Sequence, residues 1–374
     1  MKICFTQPRV SYYNGGGERY TLDAIRAISK INQYEIYLIT SKARQSETEN
    51  YKIFKKEMSD KIEIIEISIP DKFDYIYQIE PGQMRYRWDI ESINFNASIY
   101  NILRKKKIDI LWCSYILDGI FVPESTKSII NLLGFPRKET YYLEGLLSRY
   151  DLIVSNSNNV ILKWNKLLDK KIIKYKILPQ GINFKQSRKK PKNDKIVILF
   201  AGRYIERKGI LQLLSAFSHI QKEFKNVELR LFGEGPHLRQ IKSFLRKNSL
   251  DEYVTVNGFV ENIDIEMQNA NFCVFPSWEG EGLMSTVLEA MYYNGLVITT
   301  SNNGNEEVMK HGESGFIVPP NNVEELTKEI RKVIIGLENF EEIRNKAKKS
   351  ISQHFSWDAY CKKFAEIIES LNQK

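Results

Sequence analysis

Two carboxylates, Glu281 and Glu289, stand with seven residues between them in the stretch EGEGLMSTVLEAM (279–291), and glycine and hydroxyl residues fill the gap. Carboxylates in such a setting accept hydrogen bonds from sugar hydroxyls. Where such a stretch turns from a strand into a helix, the backbone N–H groups along Gly282, Leu283, Met284, Ser285 and Thr286 can hold phosphate oxygens. A purely structural account exists for one of the two acids. Thr286-x-x-Glu289 has the spacing of a helix capping box, in which hydroxyl and carboxylate satisfy two free N–H groups. That account leaves Glu279, Glu281 and Gly282 unexplained.

Three further loops carry residues suited to an anion. In YNGGGERY (13–20), Gly15 and Gly16 allow close backbone approach at a helix N-terminus, although a tight turn uses glycines equally well. The loop is neither a Walker A nor a GxGxxG motif. In AGRYIERKG (201–209), Gly202, Arg203 and Lys208 precede a helix expected to start near Gly209. Cations at a helix N-terminus oppose its dipole unless an anion sits between them, while two solvated surface cations are the plainer alternative. LFGEGPHL (231–238) reads as a structural turn between a strand and a helix.

The elements that must position these loops alternate from end to end. KICFTQ (2–7), YEIYLIT, KIEIIEI, IDILWCS (108–114), SIINLL, DLIVSNS and KYKILPQ read as strands. Helices are expected at 17–31 and near 91–106, with helical patterns between the remaining strands. NFKQSRKKPKND (183–194) is polar and basic and reads as a linker. The alternation then restarts at KIVILFAG (195–202) and runs through VELRLFG, YVTVNGF, NFCVFPS and GLVITTS. The tail 355–371 has the pattern of an amphipathic helix. This is an α/β chain of two Rossmann-like doubly wound domains. Their expected boundaries are 1–182, joined by the C-terminal helix 355–374, and 195–354. Two such domains leave a cleft, with ligands beyond the carboxyl ends of the strands.

Bulk properties bound the class. The 374 residues, 43% hydrophobic and 27% charged, suit a soluble two-domain protein. No apolar run is long enough to span a membrane, and MKICFTQP reads as a first strand rather than a signal peptide. The scattered Cys4, Cys113, Cys273 and Cys361 fit buried thiols of a reducing compartment, so a cytoplasmic location is expected. Residues 1–190 hold 32 Lys and Arg against 21 Asp and Glu, and the remainder 23 against 25. The basic half points to an anionic partner. LKWNKLLDKKIIKYK (162–176), with Trp164, Leu167 and Leu168, has the make-up of a segment lying on an anionic leaflet, although an ordinary surface helix followed by a strand has it too. No nucleic-acid-binding motif is present.

The ordered set GG-x-E-R, GR-x4-KG, G-x-GP and E-x7-E followed by Ala-Met resembles the family 4 retaining glycosyltransferases of GT-B fold, of the bacterial polysaccharide-biosynthesis type. SNNGNEEVMKHGESGFIVPP (301–320), SNS (155–157), ILPQGIN (177–183) and FSW (355–357) extend the resemblance nearly end to end, most densely over 195–320. It implies an enzyme moving a sugar from a nucleotide sugar, most simply a UDP-sugar, to a glycan or lipid-linked acceptor. It also implies roles. Arg203 and Lys208 neutralise the departing diphosphate, and Glu289 binds the ribose. Glu281 faces the transferred sugar, with Glu279 a competitor for that place. Gly282–Thr286 touch phosphate and sugar. Phe259 and Val260 frame the base, and Gly15 and Gly16 close on the donor from the other domain.

The chain departs from that pattern twice. Leu133 stands where many members have a histidine, and Asn303, Asn305 and Glu306 replace Gly, an apolar residue and Pro. No strict D-x-D occurs, so no metal or other cofactor is expected, and Arg203 and Lys208 take over the charge neutralisation. The implied partners are the nucleotide sugar, a lipid-diphosphate-linked glycan or other acceptor, and an anionic membrane surface at the inner face of the cell membrane. Nucleic acid is not among them. The missing histidine favours a different reading, a non-catalytic GT-B partner that supports an active subunit. A nucleotide-sugar epimerase is a third, and neither the GR-x4-KG and E-x7-E pair nor the basic half fits it.

Overall fold

A computed structural model describes residues 1–43, 45–68, 84–136, 144–168, 172, 174–185, 194–260, 262–278, 281–301 and 303–372. The chain divides into two units, Met1–Gly181 with Trp357–Lys374, and Ile182–Ser356.

The first unit alternates β1 (Lys2–Thr6), α1 (Gly16–Ile28), β2 (Glu35–Ser41), α2 (Glu49–Met58), β3 (Glu63–Ile67), α3 (Met84–Lys106), β4 (Ile110–Cys113), β5 (Lys127–Leu132), α4 (Glu144–Leu147), β6 (Leu152–Ser155), α5 (Asn158–Leu168) and β7 (Tyr175–Ile177). Its seven strands pair in parallel in the order β3-β2-β1-β4-β5-β6-β7. The central strands are apolar on both faces because helices cover both. Every residue of β4, ILWC, is buried.

The second unit holds β8 (Ile196–Ala201), α6 (Ile210–Glu223), β9 (Val227–Phe232), α7 (Leu238–Lys247), β10 (Val254–Asn257), α8 (Ile263–Asn269), β11 (Phe272–Phe275), α9 (Ser285–Tyr293), β12 (Val297–Thr300), β13 (Phe316–Val318), α10 (Val323–Ile335) and α11 (Glu341–His354). Its sheet order is β10-β9-β8-β11-β12-β13, again with parallel pairs. Helix α6 shows how the sequence sets the packing. Ile210, Leu213, Leu214, Phe217 and Ile220 recur at helical spacing, and all are buried. Helix α10 is fixed at its start by Asn322, whose side chain accepts the Glu325 N–H at 3.0 Å.

The last helix, α12 (Trp357–Asn372), packs in the first unit. The Phe364 ring lies 5.0 Å from that of Trp112, and the Tyr360 and Tyr20 hydroxyls are 2.8 Å apart. Of the stretch read as a linker, Asn183–Lys185 lie on the second unit. Tyr293 Oη donates to the Asn183 carbonyl at 2.6 Å, and Lys185 Nζ pairs with Asp264 at 2.8 Å. Residues 186–193 fall outside the described residues.

One expectation about surfaces changes. Helix α5 buries Val160, Ile161, Trp164 and Leu168, and the Trp164 indole N–H donates to the Gly134 carbonyl at 3.2 Å. Trp164 is thus a core residue and not an indole for a membrane surface; Leu162 is the exposed apolar side chain of that helix. The four cysteines are free thiols, three buried and Cys361 half-buried. No helix among the described residues is long and apolar enough to cross a membrane.

Candidate functional site

In the second unit the strand order reverses between β8 and β11, since β9 and β10 extend the sheet one way and β12 and β13 the other. In doubly wound sheets the ligand crevice opens at such a reversal, beyond the carboxyl ends of the strands. The two loops leaving that point are Gly202–Gly209, after β8, and 276–284, after β11.

These loops are fastened together. Glu206–Lys208 form a single 3-10 turn that ends on Gly209 in the left-handed region, φ 68°. A Cβ on Gly209 would lie 2.1 Å from the Pro276 carbonyl oxygen, so only glycine permits this approach. The Trp278 backbone N–H donates to the Arg207 carbonyl, and its indole N–H to the Glu206 carbonyl, both at 3.0 Å. Gly233 and Gly235, both at positive φ, sit where a Cβ would strike the carbonyl oxygens of Gly202 and Tyr204. The loop after β9 is therefore the structural support its sequence suggests. Tyr204, fully buried, donates to the Asn257 carbonyl at 2.9 Å.

The result is a meeting of charges. Lys208 Nζ lies 3.1 Å from Glu281 Oε1, and Arg207 Nη1 donates to the same oxygen. The side chains of Lys208 and Glu281 are 16% and 13% exposed, so neither is solvated as a surface ion. Burial alone would raise the Glu281 carboxyl, but Lys208 and Arg207 outweigh it and hold the group below its ordinary range. Burial pushes the Lys208 ammonium down, with Arg207 adding to that and Glu281 opposing it. Arg203 is exposed at the mouth of the loop, and its charge acts on both. Glu279 and Gly280 lie outside the described residues.

Helix α9 begins beside this cluster. Lys208 Nζ and Ser277 Oγ each approach Met284 Sδ at 3.6 Å, and Met284 is the N-cap residue of α9. Gly282, Leu283 and Met284 therefore form the approach, and Ser285 and Thr286 the first two helical positions. Their N–H groups precede the first that reach an intrahelical carbonyl, Val287 and Leu288, both bonded to Met284. The capping-box account fails here. The N-cap residue, Met284, makes no side-chain cap bond, and Thr286 and Glu289 stand at the second and fifth positions of α9 rather than at N-cap and N3. Glu289 is instead a buried acid, 8% exposed, one turn into the helix.

The loop that departs from the family pattern braces this start. Asn305 Oδ1 accepts the Met284 N–H at 3.1 Å, and Asn305 Nδ2 donates to Thr299 Oγ1 at 3.3 Å. Asn303 Oδ1 accepts the Asn305 N–H at 2.9 Å, and Asn303 Nδ2 donates to the Thr300 carbonyl at 2.7 Å. Both asparagines are buried. Among the other expected residues, Gly202 opens the loop after β8, Phe259 is 53% exposed after β10, and Val260 is half-buried. In the first unit Gly15 caps α1 and Gly16 is its first residue. Leu133 is half-buried against the core there. Arg207 and Asn305 are the site residues that sequence reasoning missed.

Residues 182–350 match the family of glycosyl transferases group 1. The second unit is a group 1 glycosyltransferase domain. This chain is 24% identical over 319 residues to the capsular polysaccharide biosynthesis glycosyltransferase CapH of Staphylococcus aureus, covering 79% of this chain and 81% of CapH. It is 29% identical over 191 residues to an uncharacterized glycosyltransferase of Methanocaldococcus jannaschii, half of this chain and 48% of that protein. The chain spans half or less of the length of several curated relatives that it matches. Its structure superposes on Anabaena HepE in complex with UDP-glucose with a TM-score of 0.78, at 17% identity, over 99% of this chain and 100% of HepE. Together with the two doubly wound units, this makes the fold GT-B. The charged cluster, the braced start of α9 and Glu289 all lie in the group 1 glycosyltransferase domain.

Proposed function

We propose that this chain is a retaining glycosyltransferase that moves a sugar from a nucleoside-diphosphate sugar, a UDP-sugar, to a glycan or lipid-linked acceptor in cell-surface polysaccharide or glycoconjugate biosynthesis. The observation that carries the reading is the meeting of Lys208 with Glu281 at the strand reversal, against the N-cap residue of α9. Three basic side chains, Arg203, Arg207 and Lys208, share one loop with one exposed acid, Glu206. Adding Glu281 leaves the cluster net positive, and the N-terminal dipole end of α9 adds to it. Such a place takes a diphosphate.

In this reading Lys208 and Arg203 neutralise the diphosphate as the bond to the sugar breaks, and the N–H groups of Ser285 and Thr286 hold its oxygens. Stabilising charge at the leaving group acts on the barrier more than on binding. Glu289 accepts the ribose hydroxyls, Glu281 turns toward the sugar, and Phe259 and Val260 border the base. The negative charge is met by side chains of this chain, and the reaction runs without a divalent metal. Retention rests on the family resemblance, in which the donor phosphate assists the acceptor proton. HepE was solved with UDP-glucose and CapH is named for capsular polysaccharide biosynthesis, which supports the choice of donor and product class. The excess of Lys and Arg in residues 1–190 supports an anionic, lipid-diphosphate-linked acceptor and contact with an anionic membrane surface.

The test is a panel of nucleotide sugars screened for thermal stabilisation, followed by transfer to candidate acceptors after exhaustive chelation, with the product anomer read by NMR. Stabilisation by one nucleotide sugar and metal-free transfer with retention are expected. A protein that binds none of them, or inverts, contradicts the proposal.

A further inference from the structure

Glu281 shares a single oxygen between two cations, and the two are not equivalent. Lys208 Nζ stands 3.1 Å from Oε1 and also meets Met284 Sδ, so it borders the start of α9, where a diphosphate would lie. Arg207 is held from behind. Its carbonyl accepts the Trp278 N–H, so its backbone is tied to the same loop that carries Glu281. A diphosphate entering at α9 draws Lys208 off the carboxylate. Arg203, exposed and also acting on Glu281, turns to the same diphosphate, so without Arg207 a carboxylate 13% exposed would be left buried with no close counter-charge, and such a group takes up a proton or resists the exchange.

We infer that Arg207 is a positioning residue that keeps Glu281 charged and oriented when Lys208 passes to the diphosphate. The pair thus works as an exchange. Glu281 holds Lys208 in place in the empty site, and Arg207 takes over the carboxylate in the filled one. This rests on the reading of the site as a diphosphate site and adds to it a residue outside the GR-x4-KG and E-x7-E motifs.

The sign of the expected effect follows from linkage. Without Arg207, binding raises the affinity of Glu281 for a proton, so binding is coupled to proton uptake and strengthens as pH falls. The experiment is calorimetric titration of the intact protein with UDP between pH 6 and 8, in buffers of different ionisation enthalpy. The variants are Arg207→Gln, Glu281→Gln and the double substitution. Wild type is the reference for the proton exchange and pH profile that UDP itself contributes, since its terminal phosphate titrates at about pH 6. Relative to wild type, Arg207→Gln is expected to bind about fivefold or more weakly at pH 8, to recover toward pH 6, and to take up about half a proton more. The double variant, which has no carboxylate to protonate, is expected to return to within about twofold of Glu281→Gln, with no proton uptake beyond that of wild type. A loss in Arg207→Gln that is independent of pH and is not relieved by Glu281→Gln overturns the inference, because a merely structural role predicts that outcome. Failure of wild type to bind any nucleoside diphosphate overturns the site reading instead.

Discussion

Lys208 Nζ and Glu281 Oε1 lie 3.1 Å apart although 72 residues separate them in the chain, because β8 and β11 are neighbours at the reversal of strand order. The contact places a partly desolvated ammonium where a leaving diphosphate gathers charge. Lys208→Ala is expected to lower turnover by a factor of about 30 to 1,000, equivalent to roughly 2–4 kcal/mol of barrier, with the melting temperature changed by only a few degrees. Steady-state rates beside a thermal melt check this. Wild-type turnover would remove Lys208 from the machinery.

The two acids of the opening motif separate by what they touch. Glu289 is buried in the second turn of α9, away from the capping-box position N3. Glu289→Gln is expected to weaken UDP binding about tenfold, the loss of one charge-assisted bond of roughly 1.5 kcal/mol, with the fold unchanged. Glu281→Gln is expected to spare UDP affinity and to lower transfer, since its proposed partner is the sugar. Calorimetry with UDP alongside a transfer assay distinguishes them; equal small effects from both would mean that the acids are structural.

Asn305 supplies the acceptor for the Met284 N–H and so fixes where α9 starts. Asn305→Ala leaves that buried donor unpaired, at a cost of about 1–3 kcal/mol of stability. Nucleotide affinity is expected to fall with it. Asn305→Asp keeps the acceptor oxygen and is expected to retain more affinity than Asn305→Ala. Chemical denaturation and UDP titration of the two variants check the order.

How much of this was legible beforehand depends on the kind of information each residue carries. The strands read well because their runs, such as IVILFA and ILWC, are apolar on both faces, as a covered parallel sheet requires. Lys208, Glu281 and Glu289 stand out in the sequence because charged residues beside glycines at strand ends have few structural uses. Arg207 did not, since its contact with Glu281 spans 74 residues and only the strand order brings it about. Asn305 read as a departure from a pattern, whereas its side chain acts on a backbone N–H 21 residues away. The Thr286 and Glu289 spacing fits a capping box only if the helix starts three residues before Glu289, and spacing cannot fix a helix start. For Trp164, periodicity gives the apolar face of α5 and not what covers it, so it does not decide between a core and a membrane surface.

The first unit contains a buried acid with a measurable signature. Asp118 follows β4, is fully buried, and has its carboxyl pushed up to about 7, first by burial and then by Glu91, against the pull of Arg9. The sign follows from linkage: a carboxyl that binds its proton more tightly when folded makes stability fall as pH rises from about 4 through 7. The protein is expected to lose on the order of a few kcal/mol across that window, and Asp118→Asn to flatten the loss. Thermal melts of both proteins at pH 5 and pH 8 check it. An equal fall in both would show that Asp118 is not the group responsible.

The central claim is that the end of β8 and the start of α9 form a diphosphate site. Titration of wild type, Arg203→Ala and Lys208→Ala with UDP at one fixed ionic strength tests it most directly. Wild type is expected to bind, with Lys208→Ala weakened about tenfold or more and Arg203→Ala less, because Lys208 is partly desolvated and Arg203 is exposed. Unchanged affinity in both variants, or no binding of UDP or any other nucleoside diphosphate by wild type, would contradict the account.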